Sequence, residues 1–155
     1  MDVQSGTVRF GGAYSNTLSA TLAVSLGGAA LGTGYGRIQF SQPPTFAGTF
    51  SVSTRNGYRP NSGDTFAVLS YPSATNAFLC MGGLDLGGGL LLQAQFSDTG
   101  LSLVTTTYTP GGDPRLVFTV APNALVLQWP LGFPDWDLQS TTNLSSPATW
   151  TDESS

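Results

Sequence analysis

Apolar and polar residues alternate along several short runs of this chain, and glycine, proline, asparagine and aspartate punctuate them. Period two marks an extended strand with one buried face, because successive side chains leave a strand on opposite sides. Over residues 18–26, Leu18, Ala20, Leu22, Val24 and Leu26 fall on one face, and Ser19, Thr21, Ala23 and Ser25 on the other, which predicts a strand. Shorter strands are expected at residues 7–10 and 35–40. Around residue 50, Phe50 and Val52 point one way, Ser51 and Ser53 the other. In 65–71 both faces are apolar, Phe66 and Val68 against Ala67, Leu69 and Tyr71, which predicts burial on both sides. Leu90, Leu92, Ala94 and Phe96 form an inward face, and Leu101, Leu103 and Thr105 begin the next one.

The punctuation is equally specific. Asn56-Gly57 tolerates positive φ at both positions, Pro60 fixes its own φ, and Ser62-Gly63-Asp64 completes a bend. Pro43-Pro44 cannot continue a sheet ladder. Gly87-Gly88-Gly89 and Ser97-Asp98-Thr99-Gly100 are turns. Strands and turns spaced roughly 8 to 12 residues apart suit a sandwich, a barrel or a solenoid.

Composition agrees with an all-β reading. Only 9% of the 155 residues are charged, against roughly 25% in an ordinary globular protein. The five cations are all arginines (Arg9, Arg37, Arg55, Arg59, Arg115); there is no lysine or histidine, and Glu153 is the single glutamate. A chain without lysine, and with one glutamate, lacks two of the usual helix formers, which argues against a helical protein. The net charge of −4 and scattered arginines exclude a nucleic-acid groove, which needs clustered cations. Cys80, in Phe78-Leu79-Cys80-Met81, has no partner for a disulfide and is expected as a small core residue. Residues 1–6 show no signal peptide, and no apolar run reaches the roughly 18 residues of a membrane span.

Composition shifts at Thr109-Pro110-Gly111-Gly112-Asp113-Pro114. One domain is expected over 1–108, a linker over 109–114, and a second β module over 115–155. That tail holds all three tryptophans (Trp129, Trp136, Trp150) but few strands to bury them, so the chain is expected to stop inside that module.

The ordered set Gly34-Tyr35-Gly36-Arg37-Ile38-Gln39-Phe40, Ala47-Gly48-Thr49-Phe50-Ser51-Val52, Gly57-Tyr58-Arg59-Pro60, Gly63-Asp64-Thr65-Phe66, Leu84-Asp85-Leu86-Gly87-Gly88-Gly89-Leu90 and Leu101-Ser102-Leu103-Val104 resembles the C-terminal end of bacterial autotransporter-type β-strand repeat passengers. Such passengers are common in verrucomicrobia- and planctomycete-like surface proteins. The resemblance covers about residues 16–106. It implies the end of a right-handed parallel β-solenoid, followed by a partial β-sandwich-like tail, in a secreted or cell-surface protein. A β-sandwich or jelly roll is the alternative architecture. The sequence departs from the family at Phe78-Leu79-Cys80-Met81, where a Gly-Thr-Phe-type turn is more usual. The implied function is that of a noncatalytic scaffold or adhesion segment, with other surface-protein segments as partners and edge-to-edge pairing between copies as a further association.

Candidate chemistry is sparse. No Ser-His-Asp set, metal-ligand cluster or phosphate loop is present, so no catalytic residue, metal or cofactor is expected, and no nucleic-acid or membrane-inserting role. Asp64 and Asp85 are the carboxylates best placed for a glycosidase pair, but both sit in turns, where aspartate bonds nearby backbone N–H groups. Asp135 and Asp137 flank Trp136 on one strand face and are too few for calcium. The rival to a scaffold is a carbohydrate-binding module attached to a secreted polysaccharide-degrading enzyme. Its ligand would be a polysaccharide held by Tyr58, Arg59 and Trp136, with Tyr14, Tyr35, Tyr71 and Tyr108 as further candidate rings.

Overall fold

The computed structural model describes residues 1–74, 76–109, 117–121, 124–128, 139–140 and 151–152. Among the described residues every regular element is a strand. Ten of them are β1 (Asp2–Val3), β2 (Thr7–Phe10), β3 (Thr21–Leu26), β4 (Arg37–Phe40), β5 (Thr49–Thr54), β6 (Thr65–Ser70), β7 (Cys80–Gly82), β8 (Asp85–Gly87), β9 (Leu90–Ser97) and β10 (Gly100–Thr107).

Up to β8 the strands fall alternately into two sheets. A four-stranded sheet runs β1-β3-β5-β7, with every neighbouring pair parallel. A six-stranded sheet runs β2-β4-β6-β10-β9-β8; its first three strands are parallel and the rest antiparallel. The register keeps like with like. Leu22, Phe50 and Met81 form one inward row, and Thr21, Thr49 and Cys80 the row outside it.

The core is apolar and rich in aromatic rings. Phe40 stacks on Phe10 at 5.2 Å and meets Phe46 edge-on at 5.5 Å; Phe46 then stacks on Phe78 at 4.5 Å. The Phe10–Phe40 and Phe46–Phe78 contacts join residues about thirty apart in sequence and Phe40–Phe46 links the two pairs, so the rings hold successive passes of the chain together. Close approach at the corners needs glycine. Gly48 has φ +63°, and a Cβ there would collide with the carbonyl oxygens of Ala20 and Thr17 on the preceding pass. Asn16 reinforces that corner: its side-chain oxygen accepts from the Ala47 amide at 2.9 Å, and its side-chain nitrogen donates to the Ala47 carbonyl.

Several expectations are corrected. The strand expected over 18–26 begins only at Thr21. Leu18 is 72% exposed, because the chain turns at 17–20, where the Ala20 amide donates to the Thr17 carbonyl at 3.0 Å. The strand expected over 35–40 begins at Arg37. Two-sided burial of β6 gives way to a β-bulge. Leu101 faces Leu69 but Ser102 faces Ala67, so Val68 is the extra residue. The bulge shifts the inward phase from Phe66 and Val68 to Leu69 and Tyr71, while Ala67 and Ser70 stay partly exposed on the outer face. Cys80 is exposed rather than core. It lies on edge strand β7 in the outward row with Thr49, and Phe78, two residues earlier, takes the buried place.

Toward the C-terminus, β11 (Val117–Ala121) pairs antiparallel with β12 (Ala124–Gln128), and β13 (Gln139–Ser140) with β14 (Thr151–Asp152). The linker expected at 109–114 lies, apart from Thr109, outside the described residues, as do Trp129, Trp136 and Trp150.

Val68 sits at the bulge with 0% exposure, so Val68→Asp would place an unpaired carboxylate in the core. The expected outcome is loss of cooperative melting, a cost on the order of 4 kcal/mol or more. A soluble Val68→Asp protein with a cooperative melt followed by circular dichroism would refute the inward assignment.

Candidate functional site

The bend between β5 and β6 is built as its residues require. Asn56 and Gly57 have φ of 56° and 68°, and the Tyr58 amide donates to the Arg55 carbonyl at 3.0 Å. A second turn follows, in which Asp64 Oδ2 accepts from the Asn61 amide at 2.8 Å and the Asp64 amide donates to the Asn61 carbonyl at 3.0 Å. The two turns set Tyr58 and Arg59 side by side.

Both residues are engaged by the fold. The Tyr58 ring is half-buried, edge-on to Phe66 at 6.5 Å, and its hydroxyl donates to Asp64 Oδ2 at 3.4 Å. Burial first, then the Asp64 charge and hydrogen bond, raise its phenol pKa. Arg59 is exposed, yet its guanidinium donates to Gly87 O at 2.6 Å, Gly88 O at 3.2 Å and Leu86 O at 3.4 Å. Three successive glycines with φ of 69°, 55° and 79° turn the backbone at that place, and a Cβ on Gly88 would lie 2.6 Å from Arg59 Nη2. Asp85 supports the same turn. Its Oδ1 accepts from the Gly87 amide at 2.7 Å, and the Tyr108 hydroxyl donates to its Oδ2 at 3.2 Å. Asp64 and Asp85 thus have the backbone-bonding role expected of turn aspartates.

Arg55 acts in the same manner at another corner. Its Nη2 donates to Gln4 O at 3.0 Å, Thr33 O at 3.3 Å and Gly34 O at 3.4 Å, joining two earlier passes of the chain to the third.

The other tyrosines are largely structural. Tyr35 is buried and its hydroxyl accepts from the Ala67 amide at 3.3 Å; Tyr71 is buried and donates to Gly100 O at 3.0 Å. Neither offers a free ring face. Tyr14 packs its ring on Phe10 and Phe40. Trp136, Asp135 and Asp137 lie outside the described residues. No group of three or more metal-ligating side chains gathers among the described residues.

Sequence reasoning passed over one surface. With Ile38 and Phe40 inward, Arg37 and Gln39 face out from β4, and Thr7 and Arg9 face out from β2. Register sets Thr7 beside Arg37, Arg9 beside Gln39, Gln39 beside Ser70, Ser70 beside Gly100 and Gly100 beside Ser97. The signal was the alternation in Arg37-Ile38-Gln39-Phe40, which orders the polar pair as well as the apolar one. Comparison with protein-family models, curated proteins and solved structures gives no match.

A lysine in place of Arg59 keeps the charge and loses the planar fork that reaches several carbonyls at once. Arg59→Ala is expected to lower stability by about 1 kcal/mol, a figure reduced for solvent exposure, with Arg59→Lys recovering less than half. Amide exchange across the β8–β9 turn should quicken in both. Wild-type exchange in Arg59→Ala would sink this role.

Burial, with a smaller contribution from the Asp98 charge, pushes the Tyr71 phenol up to about 12. The folded pKa lies above the unfolded value of 10.0, so the stability it contributes is whole below pH 10 and lost as pH rises to 12. Denaturant midpoints measured across that window should fall, and Tyr71→Phe should flatten the decline. An equal slope in the variant would assign the effect elsewhere.

Proposed function

We propose that this chain is a noncatalytic scaffold or adhesion segment of a larger secreted or cell-surface protein, the closing end of a parallel β-solenoid. One observation carries the reading: the strands from β2 to β7 return to the same sheet, parallel, after 28 to 31 residues, following a shorter first return of 21 residues from Asp2 to Ala23. Thr21 faces Thr49, 28 residues on; Thr49 faces Cys80, 31 on; Thr7 faces Arg37, 30 on; Ile38 faces Leu69, 31 on. A coil that winds once around two sheets in each interval has this signature. The antiparallel strands β8, β9 and β10 then extend the β6 side, as a cap would. The likeness of residues 16–106 to repeat passengers of bacterial surface proteins supports the same reading. The candidate carboxylates support a noncatalytic role, because both Asp64 and Asp85 are bonded within turns.

At the opposite end β1 and β2 are edge strands. In β2, the carbonyls of Gly6 and Phe10 accept from β4-side amides, so alternation turns the backbone groups of Thr7 and Arg9 toward the open side. Open edges template strand addition. Copies of the chain should therefore pair there in solution. Sedimentation velocity over a concentration series should show a monomer–dimer equilibrium, and Thr7→Pro should abolish the dimer with the melting temperature kept. A strict monomer at high concentration would remove the open-edge part of the reading. Polysaccharide turnover that disappears in Asp64→Asn or Asp85→Asn would overturn the noncatalytic part.

A further inference from the structure

We infer that the outer face of the six-stranded sheet around Arg9, Arg37 and Gln39 binds an acidic polysaccharide, through its carboxylate or sulfate groups and the hydroxyls between them. The placement of charge points there. Of the four arginines among the described residues, Arg55 and Arg59 are taken up by backbone carbonyls. Among the described residues the side chains of Arg9 and Arg37 have no hydrogen-bond or ion-pair partner, and they stand on adjacent parallel strands, on the same face, one step apart in register. Two like charges on neighbouring strands repel, and nothing acidic among the described residues offsets them. A guanidinium is built to fork onto a planar carboxylate or a sulfate.

The neighbours suit a sugar chain. Thr7, Gln39, Ser70, Ser102, Gln95 and Ser97 supply neutral donors and acceptors on the same outer face. Nε of Arg37 and Oε1 of Gln39 are out of solvent contact with no partner, a donor and an acceptor two residues apart. Unpaired polar groups of this kind in a native fold ask for a partner. The spacing of charge also selects the ligand. Two arginines in a chain of net charge −4 fall short of what a polyphosphate backbone requires. They suit a polymer that carries one charge per sugar and hydroxyls in between. This binding does not depend on the solenoid reading, and it places the ligand away from the Tyr58–Arg59 bend.

Affinity electrophoresis through gels carrying polygalacturonate, dextran sulfate or neutral dextran tests it. Retardation is expected in at least one acidic gel and not in neutral dextran. Stronger retardation by polygalacturonate assigns the recognised group as a carboxylate, by dextran sulfate as a sulfate ester; both sustain the site. Arg9→Gln and Arg37→Gln should each weaken the interaction about tenfold, and the double variant should abolish it. Thr49→Ala, on the outer face of the other sheet, should bind as wild type, and a melt of each variant checks that the fold is kept. Equal retardation in neutral dextran, full binding by the double variant, or binding only to a single-stranded oligodeoxynucleotide or to vesicles of anionic phospholipid would each overturn the proposal.

Discussion

The in-register parallel pairing of β3 with β5, six consecutive residue pairs from Thr21–Thr49 to Leu26–Thr54, is the constraint on which the rest of the structure depends. A parallel strand cannot be reached by a tight turn, so the chain must leave the sheet and come back. Here it comes back by way of the second sheet, which is why β4 lies between β3 and β5 in sequence and opposite them in space. Register then decides the side of every residue, since a slip by one would send Leu22, Val24, Phe50 and Val52 to water. The same condition fixes the corners. Gly48 must be glycine because the preceding pass of the chain lies against it. The rings of Phe10, Phe40, Phe46 and Phe78 can meet because each return brings them to the same depth between the sheets.

Much of this was legible in the sequence. Phe50 and Val52 against Ser51 and Ser53, and Leu101, Leu103 and Thr105 as an inward row, follow from period two alone and are so placed. Asn56-Gly57 and the triple glycine declared their positive φ through residue type. What escaped has common causes. The alternation through Leu18 and Ala20 is real, but a backbone turn at 17–20 interrupts it, and periodicity carries no information about hydrogen bonds. The two apolar faces of 65–71 were one face displaced by a bulge at Val68, and a bulge depends on the partner strand, here β10. Cys80 reads as core among apolar neighbours until β7 proves to be an edge strand. The last two misses concern relations between segments far apart in the chain.

The candidate site escaped for a similar reason. A turn was the right place to look for an exposed aromatic and an arginine, and Tyr58 and Arg59 are indeed in one. What the turn could not reveal is that residues 86–88 come to lie beside it and offer Arg59 the carbonyls of Leu86, Gly87 and Gly88. Arg59 is a fastening between two connections.

That fastening also gives a physical account of the cation composition. The carbonyls that Arg55 and Arg59 reach lie in groups at connections between strands, and a cation that serves such a group must reach several oxygens with fixed geometry. Guanidinium has five donors in a rigid plane, whereas an ammonium is a single strongly hydrated point. Arg55 serves three carbonyls from two segments and Arg59 three consecutive carbonyls of one turn. Lysine's ammonium has three donors but no planar fork to hold them in one arrangement. A fold that uses its cations in this way gains nothing from lysine, and the chain has none. The contrast sharpens the position of Arg9 and Arg37. They sit on strands, Arg9 at the sheet edge and Arg37 beside it, away from the connections whose carbonyls Arg55 and Arg59 serve. Their charge is left on the outer face of the sheet, where a ligand's oxyanions can meet it.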